Sequence, residues 1–297
     1  MRRRNRPPAS HKDAAMKLVR FKHQGSARIG KLVDGKVIEF TDLPGGASMR
    51  ALLTDYAALK PQLEAAAGPA YDLAALTLLA PIDDPQKFLA IGMNYQAHAD
   101  EAAAAGIPIP TSQLWFNKQV SCIAGPYDAI DLPIVSDQLD YEAEMAVVIG
   151  KACRHVKESE ARGVIAGYMV TNDVTVRDWQ RRSPTYTLGK SFDTHGPLGP
   201  WLTTDDEIAD PHALEMVLTV NGEERQRDRT NGMIYNIFQQ IAYLTTVMTL
   251  LPGDVLATGT PAGVGIAHGK FLRDGDVIRV EIGGLGVIEN KVRAEIA

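Results

Sequence analysis

Short apolar runs and strict alternation dominate the pattern of hydrophobic and polar positions along this chain. Residues 17–21, 27–33 and 36–40 alternate with the two-residue period of strands, and Asp34 with Gly35 supplies a hairpin turn between the last two. Residues 88–92, 144–149 and 164–171 read as three further short strands, and residues 146–149 are apolar on both faces, as strands buried within a sheet are. Residues 214–220 alternate and stop at Asn221 and Gly222, and residues 277–282 and 287–292 flank a glycine cluster as a terminal hairpin. Two stretches have helical spacing instead. Ser48 predicts the cap of a helix running towards Ala67, which Pro61 should break or offset. Residues 233–249 predict a second helix, with Asn231 as its cap and Pro252-Gly253 as its stop. Strands and helices do not alternate regularly, so a doubly wound α/β fold is excluded and a mixed, β-rich α+β fold is expected. Pro81, Asp83, Asp84 and Pro85 mark a boundary between a small N-terminal lobe, 16–80, and a larger region, 81–297.

Composition narrows the function classes. The chain has 297 residues, 45% hydrophobic and 23% charged, which fits a globular protein and excludes general disorder. No apolar run reaches the ~18–20 residues of a spanning helix, so no membrane partner is expected. Two cysteines, Cys122 and Cys153, exclude a disulfide framework. Arg2, Arg3, Arg4, Arg6 and Lys12 make a basic start without an acid, read here as a flexible extension over residues 1–15. The remainder carries about −10, which disfavours nucleic acid, because phosphates need cationic contacts. No secretory apolar segment precedes the first strand, so the cytoplasm is the expected compartment.

The candidate chemistry lies in carboxylates. Glu142 and Glu144 lead into an apolar strand, and residues two apart on a strand point the same way. Two like charges there repel unless a cation lies between them. Such a pair at the mouth of a buried strand favours a hard divalent ion, magnesium or manganese. Asp173, at the end of a third strand, offers a third ligand. His98 and Glu101 are i, i+3 neighbours on an alanine-rich helix, where a carboxylate makes the histidine a better base for a water. The Gly259–Gly265 loop is not a phosphate-binding fingerprint; its glycines suit close backbone approach to a small anionic ligand.

These pieces, in this order, resemble the fumarylacetoacetate hydrolase family over about residues 85–294. The matching text is Gly92-Met-Asn-Tyr-x-x-His-x-x-Glu101, Phe116-Asn-Lys118, Asp140-Tyr-Glu-x-Glu144 and Asn172-Asp-Val-Thr-x-Arg-Asp178. It continues through Leu188-Gly-Lys-Ser-Phe-Asp193 to Gly259-Thr-Pro-x-Gly-Val-Gly265. The resemblance implies a rolled mixed β-sheet around a divalent ion, and a homodimer. It implies Glu142, Glu144 and Asp173 as ligands of Mg2+ or Mn2+, His98 and Glu101 as a catalytic dyad on a short lid helix, and Lys190 beside the scissile carbonyl. It implies Gln180 and Thr260 as contacts to substrate oxygens. A fourth acidic ligand of the eukaryotic hydrolase has no counterpart here, since Asn94 occupies that region. The implied reaction is metal-dependent cleavage of a 2,4-dioxo acid to pyruvate, or a substituted pyruvate, and a carboxylic acid. The same apparatus would serve oxaloacetate decarboxylation, or tautomerisation or isomerisation of an unsaturated 2-hydroxy diacid; a silent binding protein is the remaining alternative. Residues 181–186 fit no pattern and are expected to meet the distal part of the substrate, with Arg181 or Arg182 reading a second carboxylate or hydroxyls.

Overall fold

The computed structural model describes residues 16–43 and 45–296, so the expected basic extension, 1–15, lies outside the described residues. Strands are the principal elements. Ten of them run in the order Ala70–Asp72, Lys36–Glu39, Ser26–Val33, Lys17–His23, Gly196–Thr204, Ile165–Asn172, Ala143–Ile149, Val255–Ala257, Phe88–Gly92 and Leu114–Lys118. Two short strands attach to its side, and Val255–Ala257 pairs with Phe88–Gly92 in parallel within an otherwise antiparallel path. The expected first hairpin forms, with Asp34 and Gly35 both at positive φ as its turn. A second sheet runs Glu223–Arg229, Glu215–Val220, Val277–Ile282, Gly286–Ala294 and Ile130–Leu132.

One strand shows how the core is divided. Every residue of Ala143–Ile149 is buried. Met145, Val147 and Ile149 join a cluster with Met216, Leu218, Val280 and Ile288 of the second sheet. Ala146 and Val148 face the other way, into a cluster with Met49, Leu52, Leu63 and Leu18. A strand sandwiched between two apolar layers is apolar on both faces, which is why residues 145–149 run continuously hydrophobic, with Glu144 at the strand's start as the exception. The strands of residues 17–39 extend the same large sheet, through Lys17–His23 beside Gly196–Thr204.

Both expected helices need correction. The first is two helices, Met49–Thr54 and Tyr56–Ala65, broken at Asp55 and not at Pro61. Ser48 does cap it, accepting from the Ala51 amide. Pro61 sits inside the second helix, where both it and Ala57 are exposed, so the carbonyl it cannot satisfy has access to water. The second helix is Ile237–Val247, and its cap is Asn236, not Asn231. Asn236 and Gln239 satisfy each other's backbone as a capping box. Residues 233–235 are held off the helix, because Met233 bridges Tyr95 and Tyr235 bonds Asn94. No helix among the described residues is long and apolar enough to cross a membrane.

Candidate metal centre and active site

Strand register brings the three predicted carboxylates together. Ala143 pairs with Asn172, and Glu144 with Thr171, across antiparallel strands. The Asp173 amide donates to the Glu142 carbonyl at 2.9 Å, which extends the ladder by one pair and sets Glu142 opposite Asp173. Glu144 lies two residues along and shares the face of Glu142. One oxygen from each of Glu142, Glu144 and Asp173 falls within 4.8 Å of the others. All three are buried.

Three cations pack around them. Lys190 Nζ lies 2.6 Å from Glu142 Oε2 and 2.7 Å from Asp173 Oδ2. Lys118 Nζ lies 2.7 Å from Asp173 Oδ1 and also donates to the Lys190 carbonyl. Arg177 Nη1 reaches Glu142 Oε1 at 2.7 Å, and its Nε reaches Asp140 at 2.8 Å. Burial alone would raise the Glu142 pKa, but Lys190 and Arg177 hold it down at about 2. Burial likewise disfavours charge on Lys118, and Asp173 beside it overrides that and raises its pKa. Glu144 differs. It accepts from the Gly259 amide at 2.8 Å and has no ion pair among the described residues. Burial, then the charges of Asp173 and Glu142, push its carboxyl well above the usual range.

Four buried carboxylates, counting Asp140, thus face three cations, and the deficit falls on Glu144. A divalent ion fits this donor set. It would find three hard oxygen ligands in reach, and it would let Glu144 ionise. Asn94 supplies no further ligand. It is buried, donates to the Thr258 and Tyr235 carbonyls, and accepts from the Tyr235 amide.

A cavity of about 400 Å³ opens above the carboxylates. His98 and Glu101 line it from the helix Gln96–Ala104, with Nδ1 to Oε2 at 3.3 Å. Burial works against the Glu101 charge, but the hydrogen bonds from His98 and the Gly263 amide lower its pKa. Lys190, Gln180, Thr260 and Arg181 all line the same cavity, whereas Arg182 does not. Arg182 stacks on Trp179 with its guanidinium 3.7 Å from the ring centre. Gln180 Oε1 accepts from Arg177, and Thr260 Oγ1 accepts from Gln226 at 2.9 Å.

Sequence reasoning gave no role to Lys118, Arg177 and Asp140. A signal was available: buried carboxylates must be matched by cations, and both Lys118 and Arg177 stand inside the motifs quoted above. His268 gave no such signal. It approaches Glu101 Oε1 at 3.7 Å from far along the chain.

Comparison with known proteins agrees with this geometry. Residues 87–293 match the family model described as fumarylacetoacetate (FAA) hydrolase C-terminal. The human oxaloacetate tautomerase FAHD2A, mitochondrial, is 44% identical over 228 residues, covering 75% of this chain and 72% of that protein. The structure of maleylpyruvate hydrolase from Sphingobium sp. SYK-6 in complex with manganese (II) ion and pyruvate superposes with a TM-score of 0.80 at 32% identity. It covers 95% of this chain and 100% of that one. The 5-carboxymethyl-2-hydroxymuconate delta-isomerase of Mycobacterium smegmatis superposes at 0.77 with 33% identity, over 94% and 100%. With the family model spanning most of the chain and the carboxylate cluster in place, this protein belongs to the fumarylacetoacetate hydrolase family.

Proposed function

We propose that this protein hydrolyses the C3–C4 bond of a 2,4-dioxo acid of the acylpyruvate type, as a homodimer using magnesium or manganese. One observation carries the reading: a histidine–carboxylate pair shares a cavity with Glu142 and Glu144, which converge with Asp173 on one point and, together with Asp140, outnumber the three buried cations by one. Glu142, Glu144 and Asp173 are the residues that would hold the ion. When bound, it supplies a Lewis acid that polarises the 2-oxo and carboxylate oxygens of the substrate.

The chain's own groups do the rest. His98 Nε2 takes a proton from water, while Glu101 orients Nδ1 and stabilises the imidazolium. The hydroxide so formed attacks the C4 carbonyl, and Lys190 Nζ offsets the negative charge on that oxygen. The C3–C4 bond breaks, its electron pair passing to C3 and the 2-oxo group. Protonation of C3 by His98 completes a pyruvate and a carboxylic acid. Gln180 and Thr260 position the substrate oxygens.

Pyruvate release from acetylpyruvate, with and without added Mn2+, tests the reading; metal-independent release or none would overturn it. A second reading is oxaloacetate tautomerisation, favoured by the identity to FAHD2A. It needs only proton transfer at C3, and loss of enol absorbance without pyruvate formation would select it.

A further inference from the structure

We infer that the acyl end of the substrate is apolar and uncharged, and that the strand Leu114–Lys118 sets this preference. The inference rests on the reading above that the substrate is a 2-oxo acid extended beyond C3. Alternate residues of a strand share one face, ~6.8 Å apart along the chain. Lys118, Phe116 and Leu114 therefore form a row. Lys118 is bonded to Asp173 at the carboxylate floor. Phe116 lies under Lys190, with Nζ 5.0 Å from its ring centre. Leu114 is the outermost of the three and half-buried. Phe116 and Leu114 line the cavity, while Trp115 and Asn117 do not. The row thus runs from charge at the metal end to hydrocarbon at the outer end.

The surrounding walls continue the trend. Tyr186 meets the Phe116 ring edge-on, with centres 5.8 Å apart. Ile107 and Ile266 stand at the exposed margin. The cations lining the cavity are Lys190 and Arg177, both already paired with carboxylates, and Arg181. Arg181 is exposed and donates to the Gln138 side chain at 2.9 Å. A carboxylate laid along the Leu114–Phe116 wall would lose water without gaining a partner on that strand, and only a swing of Arg181 away from Gln138 could supply one; Arg181→Ala should therefore leave the preference for an apolar tail in place. An alkyl or aryl tail would bury apolar surface there instead.

The test compares ligands of matched length, 2-oxohexanoate and 2-oxoadipate, by titration calorimetry on Mn2+-saturated protein. The 2-oxohexanoate is expected to bind at least tenfold tighter. From 2-oxobutanoate to 2-oxohexanoate, affinity is expected to rise roughly fourfold per methylene, the equivalent of ~0.8 kcal/mol for each buried CH2. Leu114→Lys should narrow or reverse the preference, and Leu114→Gln serves if that variant fails to fold. Equal or tighter binding of 2-oxoadipate to the natural protein, or no dependence on tail length, would overturn the inference. The titration needs no turnover, so a failure of acetylpyruvate hydrolysis defeats the reaction assignment and leaves this result standing by itself.

Discussion

The carboxylate floor sits on strands hydrogen-bonded along both edges, whereas the His98–Glu101 pair rides on a nine-residue helix at the cavity rim. On the floor, Glu142, Asp173 and Lys190 are each held by two or more short contacts of 2.6–2.7 Å. At the rim the dyad contact is 3.3 Å, and both side chains are partly exposed. The difference teaches how the two parts divide the work. The contrast suits the roles proposed above: metal ligands must stay fixed, because coordination tolerates little misplacement, while a general base must approach a proton that arrives with the substrate, and its hydrogen bond can tighten then.

Removing a floor residue should break this contrast most severely. Asp173→Ala strands both Lys118 and Lys190 without their shared partner, so a loss of about 3–5 kcal/mol is expected in denaturant unfolding, and Mn2+ should give no heat in calorimetry. At the rim, His98→Gln should lower kcat by about 10²–10⁴-fold and leave stability within about 0.5 kcal/mol. A comparable fall in melting temperature for both variants would erase the distinction between floor and rim.

Protonation sharpens it. His195 is buried behind the site, and burial lowers its pKa to about 4. A histidine depressed in the folded state stabilises fully above its unfolded pKa of 6.5. That contribution, roughly 3 kcal/mol, is lost as pH falls from 6.5 towards 4. Urea melts over that window should show the loss in the natural protein and not in His195→Asn.

Glu144 has the opposite sign. Its folded pKa is raised, so the metal-free protein loses stability as pH rises above the ordinary carboxylate range. Glu144→Gln should therefore stabilise the metal-free protein at neutral pH by about 1–3 kcal/mol, while weakening Mn2+ binding. Destabilisation in that experiment would show that a cation other than the metal compensates Glu144. The smallest effect is expected at Arg182→Ala, whose exposed ion pair with Asp178 is worth less than about 1 kcal/mol. Its kinetic constants should stay unchanged, in contrast to Arg181→Ala at the cavity wall.

The arrangement of these side chains was partly legible in the sequence. The spacing of Glu142 and Glu144 on a strand, and of His98 and Glu101 on a helix, encodes shared faces directly, because both periods are local properties of the backbone. The helix starts were less legible. Asn231 and Asn236 are equally good caps by residue type, and the choice fell to Asn236 because Asn94 and Tyr95 hold the intervening residues. The exposure of Pro61 was equally invisible, since it depends on which side of the helix faces the core.

By itself the sequence determined the strand-rich fold class, the shared face of Glu142 and Glu144 and the His98–Glu101 neighbours, since each rests on residues close along the chain. Only the tertiary structure decided the charge balance. Lys118 lies 55 residues from Asp173, and its pairing follows from which strands lie side by side. The same holds for His268 beside Glu101, and for the row of Lys118, Phe116 and Leu114 aimed along the cavity. Electrostatic energy and shape depend on distance in space, and the sequence fixes such distances only through the fold.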